Sequence, residues 1–255
     1  MAKQHCLPFG TSEISFEKPF DLIHCDIWGH YKHSSLSSAH YFLTIVDDYM
    51  RFTWIFLMKH KDEAQPLIKR CFSYVSTQFA SHIKIFRSDN GGEFLSLQSF
   101  FKDNGVLFQH SCVYMPQQNG VVERKHRHIL QVARALKFQA QLPTQFWGEC
   151  ALTVVHIINC LPSPILSFKT PFEHLYLKPL TYSHLCVFGC LAYATNVHVS
   201  HKFDHCAIAC VLVIPLDKKH TNCSISSPEN IHQQGCTFSR KSLSLCFLRV
   251  YPSYF

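Results

Sequence analysis

The segment IKIFRSDNGGEF (residues 83–94) joins an apolar, strand-like run to an acid, an amide and two glycines. Asp, Asn and Gly all favour turns, so a turn that closes the strand is the simplest explanation. A second explanation is that the glycines turn the chain sharply away from Asp89 and leave its carboxylate in an open groove. The rest of the sequence decides whether the first explanation is enough.

The composition is that of a globular protein with an anionic partner. The 255 residues are 47% hydrophobic, include 22 Phe, and carry a formal charge of +7. This length suits one large domain or one domain with an appendage, and the positive charge favours nucleic acid. No apolar run reaches the roughly 18 residues of a membrane span, and MAKQHCLPFG (1–10) lacks the apolar region of a signal peptide. We therefore expect a nuclear or cytoplasmic protein, neither secreted nor membrane-bound, with its 13 cysteines as thiols.

The order of apolar patterns predicts an α/β fold. Five segments have the aromatic and β-branched composition of strands: 22–28, 41–46, 52–58, 83–87 and 106–110. The second and third are joined by DDYMR, where Asp47 and Asp48 indicate a hairpin turn. Helical patterns cover 61–80, 94–105, 121–140 and 142–162, and a further strand-like run covers 185–193. A hairpin followed by alternating units predicts a mixed sheet with helices on both faces.

Three acidic residues lie within or at the ends of the predicted strands and helices. Asp26 lies inside the apolar run LIHCDIW, Asp89 ends a strand, and Glu123 lies in the first turn of a long helix. A buried, ionised Asp26 is costly unless it is paired, although it could instead cap a loop or pair with an arginine. Glu123 could equally be an acid that complements the helix dipole, and the same holds for Glu93 at the start of its helix.

Taken together, these acids indicate a metal site. Carboxylates are hard oxygen ligands suited to Mg²⁺ or Mn²⁺. Three of them can hold two metals roughly 3.5–4 Å apart, which is the arrangement used for in-line displacement at phosphorus. Asp26, Asp89 and Glu123 are thus both the predicted catalytic residues and the predicted metal ligands.

The long helix also carries a basic face. Val122, Ile129 and Ala133 form its apolar stripe, while Arg127 and Arg134 lie on the opposite side. Such a face is often simply solvated, but its position beside Glu123 favours contact with DNA phosphates. The predicted DNA-binding residues are Gln117, Gln118 and Asn119 of the PQQNG loop with Arg124, Lys125, Arg127 and Arg134 of the helix.

Cysteines near the end of the chain form two C-x₃-C pairs, Cys186 with Cys190 and Cys206 with Cys210, with His201 and His205 nearby. This spacing could bind zinc. The first pair, however, lies in an apolar run where thiols act as small hydrophobic residues, so we predict no zinc site.

Several long motifs resemble the integrase region of copia-type LTR retrotransposon polyproteins from plants. The most specific run from SDNGGEF (88–94) to PQQNGVVERK (116–125), and the resemblance covers roughly residues 3–210. The other matching segments are FDLIHCDIWG (20–29), YFLTIVDDYMRFTWIFLMK (41–59), LPTQFWGECALTVVHIINCLPSPIL (142–166) and LCVFGCLAYA (185–194).

This resemblance implies a ribonuclease-H-like fold, with a mixed five-stranded sheet flanked by helices and a C-terminal extension. It also implies a DDE metal site in which Asp26, Asp89 and Glu123 trim the ends of element DNA and join the 3′-hydroxyls to target DNA. The implied partners are double-stranded DNA and further copies of the chain, in a homo-oligomer. The expected divisions are a remnant of a zinc-binding segment (1–19), the catalytic core (20–162), a family-like extension (163–210) and an aberrant tail (211–255).

The sequence departs from the family pattern at several points. His126 stands where the family has Asn, Met115 where it has Thr, and His30 where it has Pro. The tail loses the family pattern altogether, which we interpret as a frameshift; a divergent or wrongly predicted exon is the alternative. Two functions follow: a metal-dependent polynucleotidyl transferase, or a catalytically inactive remnant that at most binds DNA. Ribonuclease H activity is a weaker rival, because the PQQNG loop and ERKH helix match integrases.

Overall fold

The computed structural model describes residues 16–111, 119–182, 185–195, 201–203 and 207–213. Its centre is a five-stranded sheet in the order β3-β2-β1-β4-β5. Strand β1 pairs antiparallel with β2, and β2 with β3, whereas β1, β4 and β5 run parallel to one another. The strands are β1 (Leu22–Trp28), β2 (Tyr41–Asp47), β3 (Thr53–Met58), β4 (Ile85–Ser88) and β5 (Leu107–His110).

Helices cover both faces of this sheet, as the apolar patterns predicted. They are α1 (Ala64–Phe79), α2 (Gly92–Leu95), α3 (Gln98–Asp103), α4 (Gly120–Gln139), α5 (Trp147–Cys160) and α6 (Pro171–Tyr176). Pro66 falls in the first turn of α1, where its missing N–H costs no hydrogen bond. The predicted mixed α/β sheet is confirmed.

The two faces of the sheet bury alternate residues of each strand. Ile23, Cys25 and Leu43 pack with α1 and with the aromatic residues of α2 and α3, and we call this side the α1 face. Phe42 and Trp28 pack with Trp147 of α5 on the opposite side, which we call the α4 face. Because successive side chains of a strand point to opposite faces, His24 and Asp26 share the α4 face with Trp28.

The hairpin between β2 and β3 is held by Asp47, which confirms the turn role predicted for it. Its buried carboxylate accepts hydrogen bonds from the N–H groups of Phe20 at 2.7 Å and Met50 at 2.6 Å. Arg51 follows in the left-handed region at φ 58°. Asp48 has a further role, because it binds His24 of β1.

Helix α5 is a core element. Contrary to the expectation that no apolar stretch reaches the length of a membrane span, Thr144–Leu166 is long and apolar enough to cross a membrane by length and composition. Ten of the fourteen α5 residues are nevertheless buried, against α4, β3 and the loop before β2. Its composition therefore reflects burial inside the domain.

Two predicted elements differ from the structure. The helix expected over 94–105 is two short helices, α2 and α3, interrupted at Ser96 and Leu97. The strand expected over 185–193 begins later, as β6 (Leu191–Thr195), which pairs antiparallel with β7 (Ala207–Val211). A continuous apolar run does not reveal where pairing begins, since the partner strand decides it.

The β6–β7 ribbon rests on the end of α4 and the start of α5. Val211 and Val213 are buried with Leu142 and Phe146, and the hydroxyl of Thr153 donates to the carbonyl of Val213. Strand β7 thus continues one residue past the expected division at 210. Residues 1–15 and 214–255, which hold most of the expected N-terminal remnant and tail, lie outside the described residues.

Candidate active site

Asp26 and Asp89 are brought together by the parallel pairing of β1 and β4. That register sets His24 opposite Arg87. Continued by two residues along each chain, it places Asp26 beside Asp89, directly after the last residue of β4. Asp26 lies on the α4 face, since its Oδ2 atom is 3.5 Å from Nδ1 of His126 on α4.

Asp89 also makes the turn that its sequence suggested. Its Oδ1 atom accepts a hydrogen bond from the N–H of Gly91 at 3.1 Å. Gly91 has φ −65° and ψ 143°, so the left-handed freedom of glycine is not used there. A Cβ at Gly91 would instead lie 2.9–3.0 Å from the Glu93 carboxyl group. The chain thus turns directly after Asp89, as expected, but without the left-handed conformation that glycine permits.

Glu123 reaches the site from the first turn of α4, where it is exposed. The start of this helix is fixed by Asn119, whose Nδ2 donates to the carbonyl of Cys25 at 3.3 Å. Cys25 immediately precedes Asp26. Asn119 therefore ties the helix that carries Glu123 to the strand that carries Asp26.

Asp26 feels the charges of both other predicted acids. Burial raises the pKa of Asp26 to about 7, with further upward contributions from the negative charges of Asp89 and Glu123. The N–H of Ile27, which donates to Oδ1 at 2.9 Å, acts in the opposite direction. Asp26 is thus a half-buried acid that two other acids push toward its neutral form.

Two neighbours of Asp26 were not predicted from the sequence. Lys61, just before α1, bonds the Glu93 carboxylate at 3.3 Å, and its charge favours the ionised form of Asp26. His126 packs edge-on against Phe42, and burial lowers its pKa to about 4. His126 was noted only as a departure from the family, and the one available signal was its position one turn after Glu123.

The predicted DNA-binding residues fall into four groups. Arg124, Arg127 and Arg134 are exposed on α4, as a phosphate-binding face requires. Lys125 is half-buried, and burial lowers its pKa to about 8. Asn119 is buried, so its expected contact with DNA is corrected to the structural bond described above. Gln117 and Gln118 lie outside the described residues.

The donor set fits a hard divalent cation in its chemistry. Asp26, Asp89 and Glu123 offer carboxylate oxygens, and their mutual repulsion would be relieved by a positive charge. Among the described residues, however, no group of three or more His, Cys, Asp and Glu side chains is close enough to hold a metal ion as it stands. Of the residues considered for zinc, His205 and Cys206 lie outside the described part of the chain.

A mixed sheet in this order, with helices on both faces, defines the ribonuclease-H-like class of folds. A solved structure agrees: a chain of the simian T-cell lymphotropic virus intasome, determined in complex with PP2A regulatory subunit B56 gamma, superposes with a TM-score of 0.53. The alignment covers 75% of this chain and 68% of that chain at 17% identity, which supports the fold alone.

Sequence comparison narrows the class to a family. The family model "Integrase core domain" matches residues 17–116. Retrovirus-related Pol polyproteins from transposons RE2 and RE1 of Arabidopsis thaliana are 35% and 32% identical over 75% and 83% of this chain. The Pol polyprotein from transposon TNT 1-94 of Nicotiana tabacum is 34% identical over 83% of it. The chain therefore contains an integrase core region of the copia type, and it spans only 13–16% of the length of these relatives.

Proposed function

We propose that this core is a metal-dependent polynucleotidyl transferase that processes DNA 3′ ends and transfers strands. The observation that carries the proposal is the environment of Asp26, a partly buried acid on β1 that feels the charges of both Asp89 and Glu123. A partly buried acid that feels two like charges is costly for a fold, and acids with pKa values shifted in this way are enriched at functional sites.

Different residues would bind the metal, bind the DNA phosphates and position the acids. Asp26, Asp89 and Glu123 would hold Mg²⁺ or Mn²⁺, which when bound activates an oxygen nucleophile and stabilises the leaving oxygen. The exposed Arg124, Arg127 and Arg134 would bind phosphates without reading bases. Asn119 would keep Glu123 in place relative to Asp26 through its bond to Cys25. Duplex DNA is the proposed substrate, a homo-oligomer the proposed working form, and the nucleus or cytoplasm the proposed location.

The test uses the full chain with a linear duplex in Mg²⁺ or Mn²⁺. We expect nicking or strand transfer to disappear in Asp26→Asn, Asp89→Asn and Glu123→Gln, while binding of the duplex survives. Calorimetric titration with Mn²⁺ should show binding to the wild type and loss of binding in Asp26→Asn. Asp103→Asn, an exposed acid at the end of α3, is the matched control and should retain both properties. Activity that persists in chelator or in the acid variants would contradict the proposal.

A second function is binding of DNA without catalysis. It is favoured by the finding that no described group of three potential ligands is close enough to hold a metal ion. In that case the wild type would bind the duplex but neither bind Mn²⁺ nor cut DNA. The Mn²⁺ titration therefore separates the two functions even where no activity is detected.

A further inference from the structure

A second charged cluster lies on the α4 face, near the end of the sheet that holds the β2–β3 hairpin. Nε2 of the buried His24 is 2.9 Å from Oδ1 of Asp48. The same oxygen accepts a hydrogen bond from Nη1 of Arg51 at 3.2 Å. The one carboxylate oxygen is thus already shared between two partners.

This cluster holds more positive than negative charge. Burial first of all lowers the pKa of His24, and the charges of Arg87 and Arg51 lower it further, so the neutral imidazole is favoured and adds no charge to the cluster. Arg87 directs Nε and Nη2 to the amide oxygen of Gln109, at 3.1 and 2.7 Å, and this oxygen is neutral. Lys125 of α4 lies close enough to Arg51 to feel its charge. Among the described residues, Asp48 is therefore the acid that is bonded within this cluster, which contains Arg51, Arg87 and Lys125.

Among the described residues, Lys125 has no counter-charge, while Arg51 shares Asp48 with His24 and keeps one donor atom without a partner. Nε of Arg51 is buried and has no hydrogen-bond partner within the described part of the chain. Lys125 is half-buried and forms no ion pair with any described residue. An unpaired buried donor and two neighbouring like charges both cost stability, and an anion placed between them would offset both costs.

We propose that Arg51 and Lys125 bind a phosphate group of the polynucleotide, at a site separate from the catalytic carboxylates. Arginine supplies a planar fork for phosphate oxygens, and lysine a point charge. His24 and Asp26 are two residues apart on the same face of β1, a separation of about 7 Å along the strand. The site is thus placed for a phosphate that neighbours the reacting one. This inference rests on the proposed function and names a contact that the exposed α4 arginines do not provide.

The first test is thermal unfolding of the full chain in chelator, with inorganic phosphate compared against sodium chloride at equal ionic strength. Phosphate should raise the melting temperature of the wild type and of Lys102→Gln, an exposed control on α3. It should not raise that of Lys125→Gln or Arg51→Gln. Without phosphate, Lys125→Gln should melt higher than the wild type, because the repulsion from Arg51 is gone.

The second test measures binding of a duplex oligonucleotide, again in chelator. Each variant should bind about tenfold more weakly, the size expected for one charge-assisted contact. The slope of log affinity against log salt should fall by about one. Arg51→Lys, which keeps the charge but loses the fork, should recover part of the affinity and guards against a folding defect in Arg51→Gln.

Three results would overturn the inference. A lower melting temperature of Lys125→Gln without phosphate would mean that the lysine already has a partner in the protein. An unchanged phosphate response would remove the site. Loss of the phosphate response with unchanged duplex binding would mean that the site takes a free phosphate or another anion. Because no divalent metal is present, these results do not depend on catalysis, and a catalytically inactive chain could still confirm the phosphate site.

Discussion

Buried acids in this domain differ in how well they are paired. Asp47 and Glu149 are both fully buried, and burial raises the pKa of each to about 6. Asp47 accepts two short backbone hydrogen bonds that hold the hairpin. Oε2 of Glu149, in the first turn of α5, has no partner among the described residues. The hydrogen bonds of Asp47 therefore stabilise the hairpin, whereas the buried charge of Glu149 destabilises the native state.

The unpaired charge of Glu149 should make stability depend on pH. Its pKa is raised above the unfolded value, so the native state binds more protons between pH 4 and 6. The contribution of Glu149 to the free energy of unfolding is then most favourable below about pH 4 and is lost as pH rises to about 6. Glu149→Gln removes the charge, so its free energy of unfolding should exceed that of the wild type increasingly over this range. At pH 7 the difference should be about 2 kcal/mol. Urea unfolding across pH measures this, with the exposed Asp103→Asn as control. Parallel pH profiles for wild type and Glu149→Gln would show that the carboxylate is paired.

Sequence patterns were sufficient to name the candidate acids but not their neighbours. Asp26 stood out because an acid in an apolar strand needs a reason, whereas Glu123, an ordinary acid at a helix start, stood out only together with Asp26 and Asp89. Lys61 and His126 could not be identified in this way, since only the packing of α1 and α4 brings them near Asp26. Asn119 was misassigned to DNA because a polar residue in a turn-rich loop is usually exposed.

At the scale of whole elements, α5 covers the open edge of the sheet. Strand β3 is an edge strand, so part of its backbone has no neighbouring strand. At Thr53, the side chain of Asn159 near the end of α5 takes the place of a neighbouring strand. Its Oδ1 accepts from the Thr53 N–H at 2.9 Å, and its Nδ2 donates to the Thr53 carbonyl at 2.8 Å. One amide side chain thus imitates a strand partner and protects the edge.

Replacing Asn159 should therefore cost more than an ordinary surface change. Asn159→Ala leaves a buried N–H and a buried carbonyl of Thr53 unpaired, at about 1–3 kcal/mol for each group. The free energy of unfolding, measured in urea, should fall by this order. Asn104→Ala is the matched control, because Asn104 is exposed and its side chain bonds the Phe100 carbonyl within its own helix end. An equal loss in both variants would mean that water replaces Asn159 at the edge.

The elements themselves were largely predictable, and the exceptions have physical causes. Strands β1 to β3 and helix α4 have a composition that suits their surroundings, so their bounds were right to within a residue. The pattern over 94–105 is helical throughout, and Phe94 and Phe101, seven residues apart, would share one face of a continuous helix. The break at Ser96 and Leu97 was therefore not predictable from periodicity. The bounds of strand β6 are set by its pairing with β7, and β7 lies outside the apolar run 185–193 from which the strand was predicted.

At the scale of the molecule, the candidate site exists only because distant segments meet. Asp26 and Asp89 are neighbours because β1 and β4 pair in parallel, with the hairpin and α1 inserted between them. Glu123 comes from a third segment, on a helix that crosses the α4 face. No local pattern contains this information, which explains why the sequence alone could name the acids but could not derive their proximity without the family resemblance.

One close approach contributes to the attachment of the C-terminal ribbon to the core. Gly189 has φ +81°, and a Cβ there would overlap with the Cβ of Ala140 and lie 3.3 Å from its Cα, at the end of α4. The N–H of Gly189 donates to the Leu212 carbonyl at 2.7 Å, and the Leu212 N–H donates to the Cys190 carbonyl at 3.0 Å. A side chain at this position would therefore push the ribbon away from α4.

Gly189→Ala should accordingly loosen the ribbon and leave the sheet intact. Gly105 is the matched control: it also has a positive φ, +67°, but a Cβ there would meet nothing within 4 Å. Gly105→Ala should cost about 1 kcal/mol of backbone strain, whereas Gly189→Ala adds an overpacking cost of about 1–3 kcal/mol. Hydrogen exchange followed by mass spectrometry should show faster exchange in β6, β7 and residues 211–213 of Gly189→Ala, with β1 to β3 unchanged. Exchange that stays as slow as in Gly105→Ala would mean that the ribbon shifts as a unit, and that its contact with α4 does not hold it in place.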